Sequence, residues 1–338
     1  MILVSGGTGM LGAHLLYKLV NNGKSVRAIK RSTSNMGIVK RIFGYYHEDP
    51  ERIFSKIEWV EADILDSESI YNVMQDIEYV YHAAATVSFD PREKESMIRN
   101  NTNGTQNMVN AALLSGVKKF CHVSSISALG EANNGDLITE ESFRNPKGRF
   151  SGYSISKFLS ELEVWRGITE GLNSIIVNPS IILGPGDWRS GSPSIFANIG
   201  KGLKFYTEGV TGYVDVLDVV DAMTALMEID IKNERFIISA ENLSFKDVFI
   251  KVADALEVKK PSIKANSFML ALAWRFERLR STITGKSPLI TKDSAYSANK
   301  KAIFSSEKLS EAINFRYTPV SECINRIAQS YKKEHGPF

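Results

Sequence analysis

Tyr153 and Lys157 are the two side chains whose types and spacing first suggest chemistry in this sequence. Both fall in YSISKFLSELEVWRGITEG, where Ile155, Phe158, Leu159, Leu162 and Trp165 recur at three- and four-residue intervals with Glu161, Glu163 and Arg166 between them. That period predicts an amphipathic helix. Residues four apart lie on one helical face, one turn above the other, so the Tyr153 phenol and the Lys157 ammonium would share one space. A phenol titrates near about 10 in water, and a fixed cation beside it favours the phenolate. The pair is therefore a candidate general acid/base for work near neutral pH. Tyr and Lys are also common on solvated helix faces, so the elements around the pair decide its meaning.

Those elements begin with a short apolar strand over Met1 to Val4, the glycines Gly6, Gly9 and Gly12, and a helical run HLLYKLVNNG. Glycines there let the backbone turn tightly and approach a pyrophosphate, and the helix N-terminus offers free N–H groups. Thr8, Met10 and Leu11 belong to the same loop and first helical turn and are expected at the cofactor with the glycines. A second strand, Ser25 to Ile29, ends in Lys30-Arg31-Ser32. An acid at this point in dinucleotide folds binds ribose hydroxyls, whereas a base suits a 2′-phosphate. The absence of an acid favours NADP(H), with Arg31 as main contact and Ser32 as second; NAD(H) is the alternative.

A loosely patterned connection, Asn35 to Ser55, leads to a strand over Ile57 to Glu61 and then Ala62-Asp63-Ile64. Asp63 is expected to accept from an adenine amino group with Ile64 against the ring. Asp66 and Ser67 are better candidates for capping the helix that follows. The fourth strand, Tyr79 to His82, ends in Ala83-Ala84-Ala85, small residues that let a ligand lie against backbone at the carboxyl edge of a doubly wound sheet. Pro91 to Ser115 reads as a long helix with a polar break from Asn100 to Gly104, where Asn101 would sit at a kink and hold water. The fifth strand, Lys119 to Val123, ends in Ser124-Ser125, hydroxyls aimed where a carbonyl oxygen would lie. A loop over Gly130 to Gly152, the Tyr153 helix and a strand over Ser174 to Asn178 complete the alternation. It predicts an α/β fold, a doubly wound parallel (Rossmann) sheet over residues 1–178, with a smaller, mostly helical substrate lobe over 179–338 from which residues about 210–240 return to the core.

With 338 residues, 43% apolar and 23% charged, the composition is that of an ordinary globular protein. A net charge of +3 with scattered Lys and Arg argues against nucleic acid. Two distant cysteines, Cys121 and Cys323, indicate no disulfide framework, so a cytoplasmic home is expected. No run approaches the ~20 apolar residues of a membrane span. The nearest, FMLALAW over Phe268 to Trp274, is expected as a buried helix of the substrate lobe rather than an interfacial one. Trp188, Phe196, Phe205, Tyr206, Phe268, Trp274 and Phe276 are either an apolar substrate pocket or plain core. No metal site is indicated.

Taken together, SGGTGMLG, EADILD, HAAA, HVSSIS, YSISK, NPSIILGPGD and YVDVLDVVDAM resemble, in order and over the whole chain, the extended short-chain dehydrogenase/reductase (NAD-dependent epimerase/dehydratase) family. VRAIKRS, VSS and the region ending TGKSPLIT look nearest its dihydroflavonol-reductase and 3β-hydroxysteroid-dehydrogenase-like branch. The resemblance implies a Ser-Tyr-Lys triad of Ser125, Tyr153 and Lys157. It implies Lys157 also at the nicotinamide ribose, Asn101 in a water relay, Pro179, Ile181 and Ile182 near the cofactor, and a homodimer through the two long helices, with Leu159, Leu162 and Trp165 in the contact. One departure stands out: the family reads Arg-Pro before GPGD, and this chain reads Asn178-Pro179. The expected activity is NADP(H)-dependent reduction of a ketone or aldehyde, or oxidation of the alcohol. The rivals are an NAD-dependent sugar-nucleotide epimerase or dehydratase, against which Ile126-Ser127 and Lys30-Arg31 weigh, and a non-catalytic dinucleotide-binding protein.

Overall fold

The computed structural model describes residues 1–130, 137–145, 147–285, 287–288 and 290–336. The chain first alternates β1 (Ile2–Ser5), α1 (Met10–Asn21), β2 (Val26–Lys30), α2 (Met36–Phe43), α3 (Pro50–Phe54), β3 (Glu58–Glu61), α4 (Ser67–Val73), β4 (Tyr79–His82), α5 (Lys94–Leu114) and β5 (Lys119–Val123). A short β6 (Leu137–Ile138), α6 (Gly152–Thr169), β7 (Ser174–Pro179) and β8 (Ile181–Leu183) follow. Then come α7 (Pro193–Gly200), β9 (Phe205–Tyr206), β10 (Val210–Asp215), α8 (Val216–Glu228), β11 (Glu234–Ile238), β12 (Glu241–Ser244) and α9 (Phe245–Leu256). The chain closes with β13 (Ile263–Lys264), α10 (Ser267–Thr284), α11 (Lys292–Ser297), β14 (Ile303–Phe304), α12 (Glu307–Ile313) and α13 (Val320–His335).

Seven strands form one sheet in the order β11-β7-β5-β4-β1-β2-β3, every pair parallel. The apolar runs of β1, β5 and β7 are buried on both faces, as strands covered by helices on each side must be. One face packs against α1 and α8 through Leu15, Leu16, Val219 and Met223. The other packs against α4 and α5 through Ile70, Met108 and Val109. A further core joins α7, α9 and α13 to β10. The direction of winding reverses between β1 and β4, and a crevice opens at such a switch point beyond the strands' carboxyl ends.

Two buried charges lock the late elements. Lys119 donates to the carbonyls of Leu226 and Ile229, both at 2.7 Å, closing the C-terminal end of α8 where a cation is favoured. Asp215, fully buried, caps the start of α8 through the Leu217 N–H and pairs with Arg326 of α13 at 2.5 Å.

The structure departs from the expected elements in several places. Helix α5 runs unbroken. Gly104 is there because a Cβ would meet Ile64 Cδ1 at 2.5 Å, so the polar stretch marks close packing instead of a kink. Helix α6 buries Ser156, Lys157, Ser160, Glu161 and Gly167, while Leu162 is exposed. The buried face is thus the small and polar one. A Cβ on Gly167 would lie 2.5 Å from Val109 of α5, so the two helices approach too closely for large side chains. Helix α10 buries only Ser281 and leaves Phe268 and Phe276 in solvent, contrary to the buried helix expected there. Trp188 and Phe196 are core. The expected loop from Gly130 to Gly152 includes residues 131–136 and 146, and TGKSPLIT includes 286 and 289; these lie outside the described residues. Among the described residues, no helix is long and apolar enough to cross a membrane, and no cluster of His, Cys, Asp or Glu is arranged to hold a metal.

Candidate active site

The glycine turn lies directly on the end of β4. Gly6 has φ +75°, and a Cβ there would sit 2.6 Å from the Ala83 carbonyl carbon and the Ala84 nitrogen. A Cβ on Gly12 would sit 2.1 Å from the Gly6 oxygen. Only glycine fits either place. Ser5 and His82 fix the two strand ends through a 2.7 Å bond between Oγ and Nδ1. Burial drives the His82 imidazole down to about 3, with Lys157 acting in the same direction, so it stays neutral.

Beyond these strand ends lies a cleft of about 350 Å³, lined by Gly6, Thr8 and Gly9, by Ala83, Ala84 and Ala85, by Arg31 and Ser34, and by Asp63 and Ile64. It also touches Thr86 and Asn101. Ser34, whose hydroxyl accepts from the Arg31 N–H at 2.9 Å, is in the lining, while Ser32 is exposed and outside it. Asp63 also accepts from the Leu65 N–H at 2.9 Å, and Asp66 caps α4 as expected. Met10, Leu11 and Gly12 form the first turn of α1 behind the cleft lining. Pro179, Ile181 and Ile182 lie on β7 and β8, outside it.

Asn101 is a clamp. Its Oδ1 accepts from the Thr86 N–H at 2.7 Å, and its Nδ2 donates to the Thr86 carbonyl at 2.9 Å and to Ser156 Oγ at 3.1 Å. The side chain thereby joins the strand-end segment beyond β4 to α6, and it sits on unbroken helix rather than at a kink.

Tyr153 and Lys157 lie one turn apart at this end of α6, near Ser125 at the end of β5, and none of the three is in the cleft lining. Burial pushes the Tyr153 phenol up, and a hydrogen bond with the Ser125 hydroxyl opposes the rise. Lys157 is buried and donates to the Val123 carbonyl at 2.9 Å. Burial brings its ammonium down to about 8, with Glu161 pulling the other way. The spacing predicts a phenol lowered by Lys157; in the structure burial raises it, and the opposing pull comes from Ser125. Phe89 stands over the site, its ring 6.0 Å from that of Tyr153.

Beneath lies Glu161, which the helix periodicity had among the polar residues between apolar ones. Its buried carboxylate accepts from Ser124 Oγ at 2.7 Å, Asn178 Nδ2 at 3.0 Å and Arg235 at 2.9 Å. Asn178 also donates to the Ser125 carbonyl at 3.0 Å. Ser124 is thus engaged away from Tyr153, and Ser125 is the serine that faces it. At the Asn178-Pro179 departure, the guanidinium beside the site helix comes from Arg235 on the neighbouring strand β11.

The model of the NAD dependent epimerase/dehydratase family matches residues 2–239. The chain belongs to this family. As an epimerase/dehydratase-family member it is similar over 98% of its length, at 25% identity, to a provisionally named dihydroflavonol 4-reductase from Synechocystis, covering 94% of that protein. It is 26% identical over 97% of its length to 3beta-hydroxysteroid-dehydrogenase/decarboxylase isoform 1 of Arabidopsis thaliana, covering 79% of it. The crystal structure of gox2253 superposes with a TM-score of 0.82 at 26% identity, covering 100% of this chain and 99% of that one. The epimerase/dehydratase-family assignment, with reductases and dehydrogenases as relatives, makes the chain an NAD(P)-binding oxidoreductase of the extended short-chain type. Sequence reasoning missed Ser34, Glu161 and Arg235; only Glu161, four residues past Lys157, carried a readable signal, as the next turn of the same face.

Proposed function

We propose that this chain reduces a ketone or aldehyde to the alcohol, or runs the reverse oxidation, with NADP(H). The observation that carries the reading is the placement of Ser125 at the end of β5 and of Tyr153 and buried Lys157 one turn apart on α6, with Lys157 donating to the Val123 carbonyl at 2.9 Å. Three features support a nicotinamide dinucleotide in this cleft: a glycine turn where a Cβ would clash with backbone, the N–H groups at the start of α1, and Asp63 and Arg31 in the lining, which we assign to the adenosine end. Gly6, Gly9, Thr8 and the alanines after β4 would hold the pyrophosphate and sugar, and Arg31 with Ser34 a 2′-phosphate. When bound, the cofactor supplies the hydride that adds to the carbonyl carbon.

The remaining work belongs to this chain. Ser125 donates to the substrate carbonyl oxygen, where negative charge develops. Tyr153, kept protonated by burial, gives its proton to that oxygen as the C–O double bond becomes single. The Lys157 ammonium stabilises the tyrosinate left behind. Asn101 is read as a positioning residue, holding Thr86 and Ser156 on the two sides of the site. Phe89 shields the substrate from water. We also infer that residues 1–178, with the segment of about 210–240 that adds β11 to the sheet, form the dinucleotide-binding unit and that the chain pairs with a second copy through the outward apolar side chains of α6.

The test is a binding titration of NADPH against NADH, followed by NADPH oxidation across a panel of ketones and aldehydes. Tighter NADPH binding with turnover of a carbonyl supports the reading. Tightly held NAD in purified protein would point to the epimerase instead. NADPH binding without turnover of any carbonyl would point to a binding protein.

A further inference from the structure

Helix α10 carries a stripe of large apolar side chains that nothing among the described residues covers. Phe268, Leu272, Phe276, Leu279 and Ile283 are 77%, 61%, 66%, 59% and 76% exposed. Their spacing puts them on one face, within about a quarter of the helix circumference. A contiguous exposed apolar stripe of this kind marks an interaction surface. Arg275 and Arg278, both exposed, flank it.

The surrounding charge says what the partner is. Ten basic and two acidic residues lie between positions 259 and 301. That sequence excess of eight positive charges, of which Lys260 and Lys264 pair with Asp254 and Glu208 from outside the stretch, sits in a chain of net charge +3, so the remaining sequence is net negative. A second copy of the same face would be repelled. A negatively charged surface with an apolar layer beneath its charges matches both features. We propose that α10 lies flat on an anionic phospholipid bilayer, its stripe sunk among the acyl chains and its arginines at the headgroups. The helix has 18 residues and is not apolar enough to cross. Arg92, from the segment that carries Phe89, donates to the Gly285 carbonyl at the end of α10 at 3.4 Å. Docking would therefore set the mouth of the site beside lipid.

The experiment is co-sedimentation of the full chain with vesicles of phosphatidylcholine alone and of phosphatidylcholine with phosphatidylserine. It needs neither cofactor nor carbonyl, so failure of the reductase reading leaves it intact. Strong binding to the anionic vesicles, weakened by salt, is expected. Each basic residue at such a surface strengthens binding about fivefold, so the double substitution Arg275→Gln and Arg278→Gln lowers it by about thirtyfold. Phe276→Glu with Leu279→Glu abolishes it. These positions are exposed, so the variants fold. No binding to anionic vesicles, or binding that survives the Phe276→Glu and Leu279→Glu pair, overturns the proposal. So does a face that proves to join two copies, seen as self-association lost in that variant while the parent chain ignores vesicles.

Discussion

The Glu161 carboxylate and the Arg235 guanidinium meet at 2.9 Å although 74 residues separate them in the chain. The contact ties the site helix α6 to β11, and Glu161 holds Ser124 and Asn178 in the same cluster. Removing one partner of a buried pair leaves the other charge unpaired, at a cost of about 3 kcal/mol or more. Glu161→Gln should therefore lower the urea midpoint by a corresponding amount. Because Glu161 raises the Lys157 value, the substitution should also move the alkaline limb of the activity profile to lower pH, which a merely structural role would not do.

Tyr153→Phe removes the proton donor and nothing else of comparable size. Turnover should fall by about 10³-fold, within the usual range for a general acid. NADPH affinity, measured by fluorescence titration, should hold. A variant that keeps most of its activity would remove Tyr153 from the proposed mechanism.

The pH dependence follows from Lys157. Its ammonium is intact below about 8, so reductive kcat/KM should stay level up to that pH and fall above it, while oxidation gains. The folded chain gives up this proton at about 8 and an ordinary lysine at 10.5. The unfolded state thus binds more protons between those values, and this residue makes stability rise with pH across that window. Lys157→Met should raise Tm at neutral pH and abolish that rise, while reducing activity.

Arg31→Ala should weaken NADPH binding by about ten- to a hundredfold, the worth of one charge-assisted hydrogen bond. NADH binding should change little. Equal losses for both would show that Arg31 contributes nothing to discrimination.

Arg326→Ala leaves Asp215 buried without its cation at the start of α8. A loss of about 3 kcal/mol or more is expected in denaturant unfolding.

The glycine turn, the parallel sheet and the helix that carries Tyr153 and Lys157 were legible because each is a local pattern: a strand, a fixed spacing and a helix. What the sequence hid was long-range. Arg235 gives no sign in its own strand that it answers a carboxylate on α6. The α6 periodicity marked Leu162 as a packing residue, yet close approach to α5 selects serine and glycine for the inner face. Asn101 and Gly104 look like a break until Thr86, Ser156 and Ile64 are seen occupying them. FMLALAW is apolar all round, which predicts burial, but the described residues leave one side of α10 uncovered.

Strand β11 closes the edge of the sheet beside β7, and it comes from residues 234–238. A ribosome releasing this chain therefore exposes the flank of β7 until α7, β10 and α8 have also emerged. A fragment ending at 178 would keep that flank bare, open to strand-by-strand aggregation. Nascent chains stalled short of β11 should be the ones that chaperones hold.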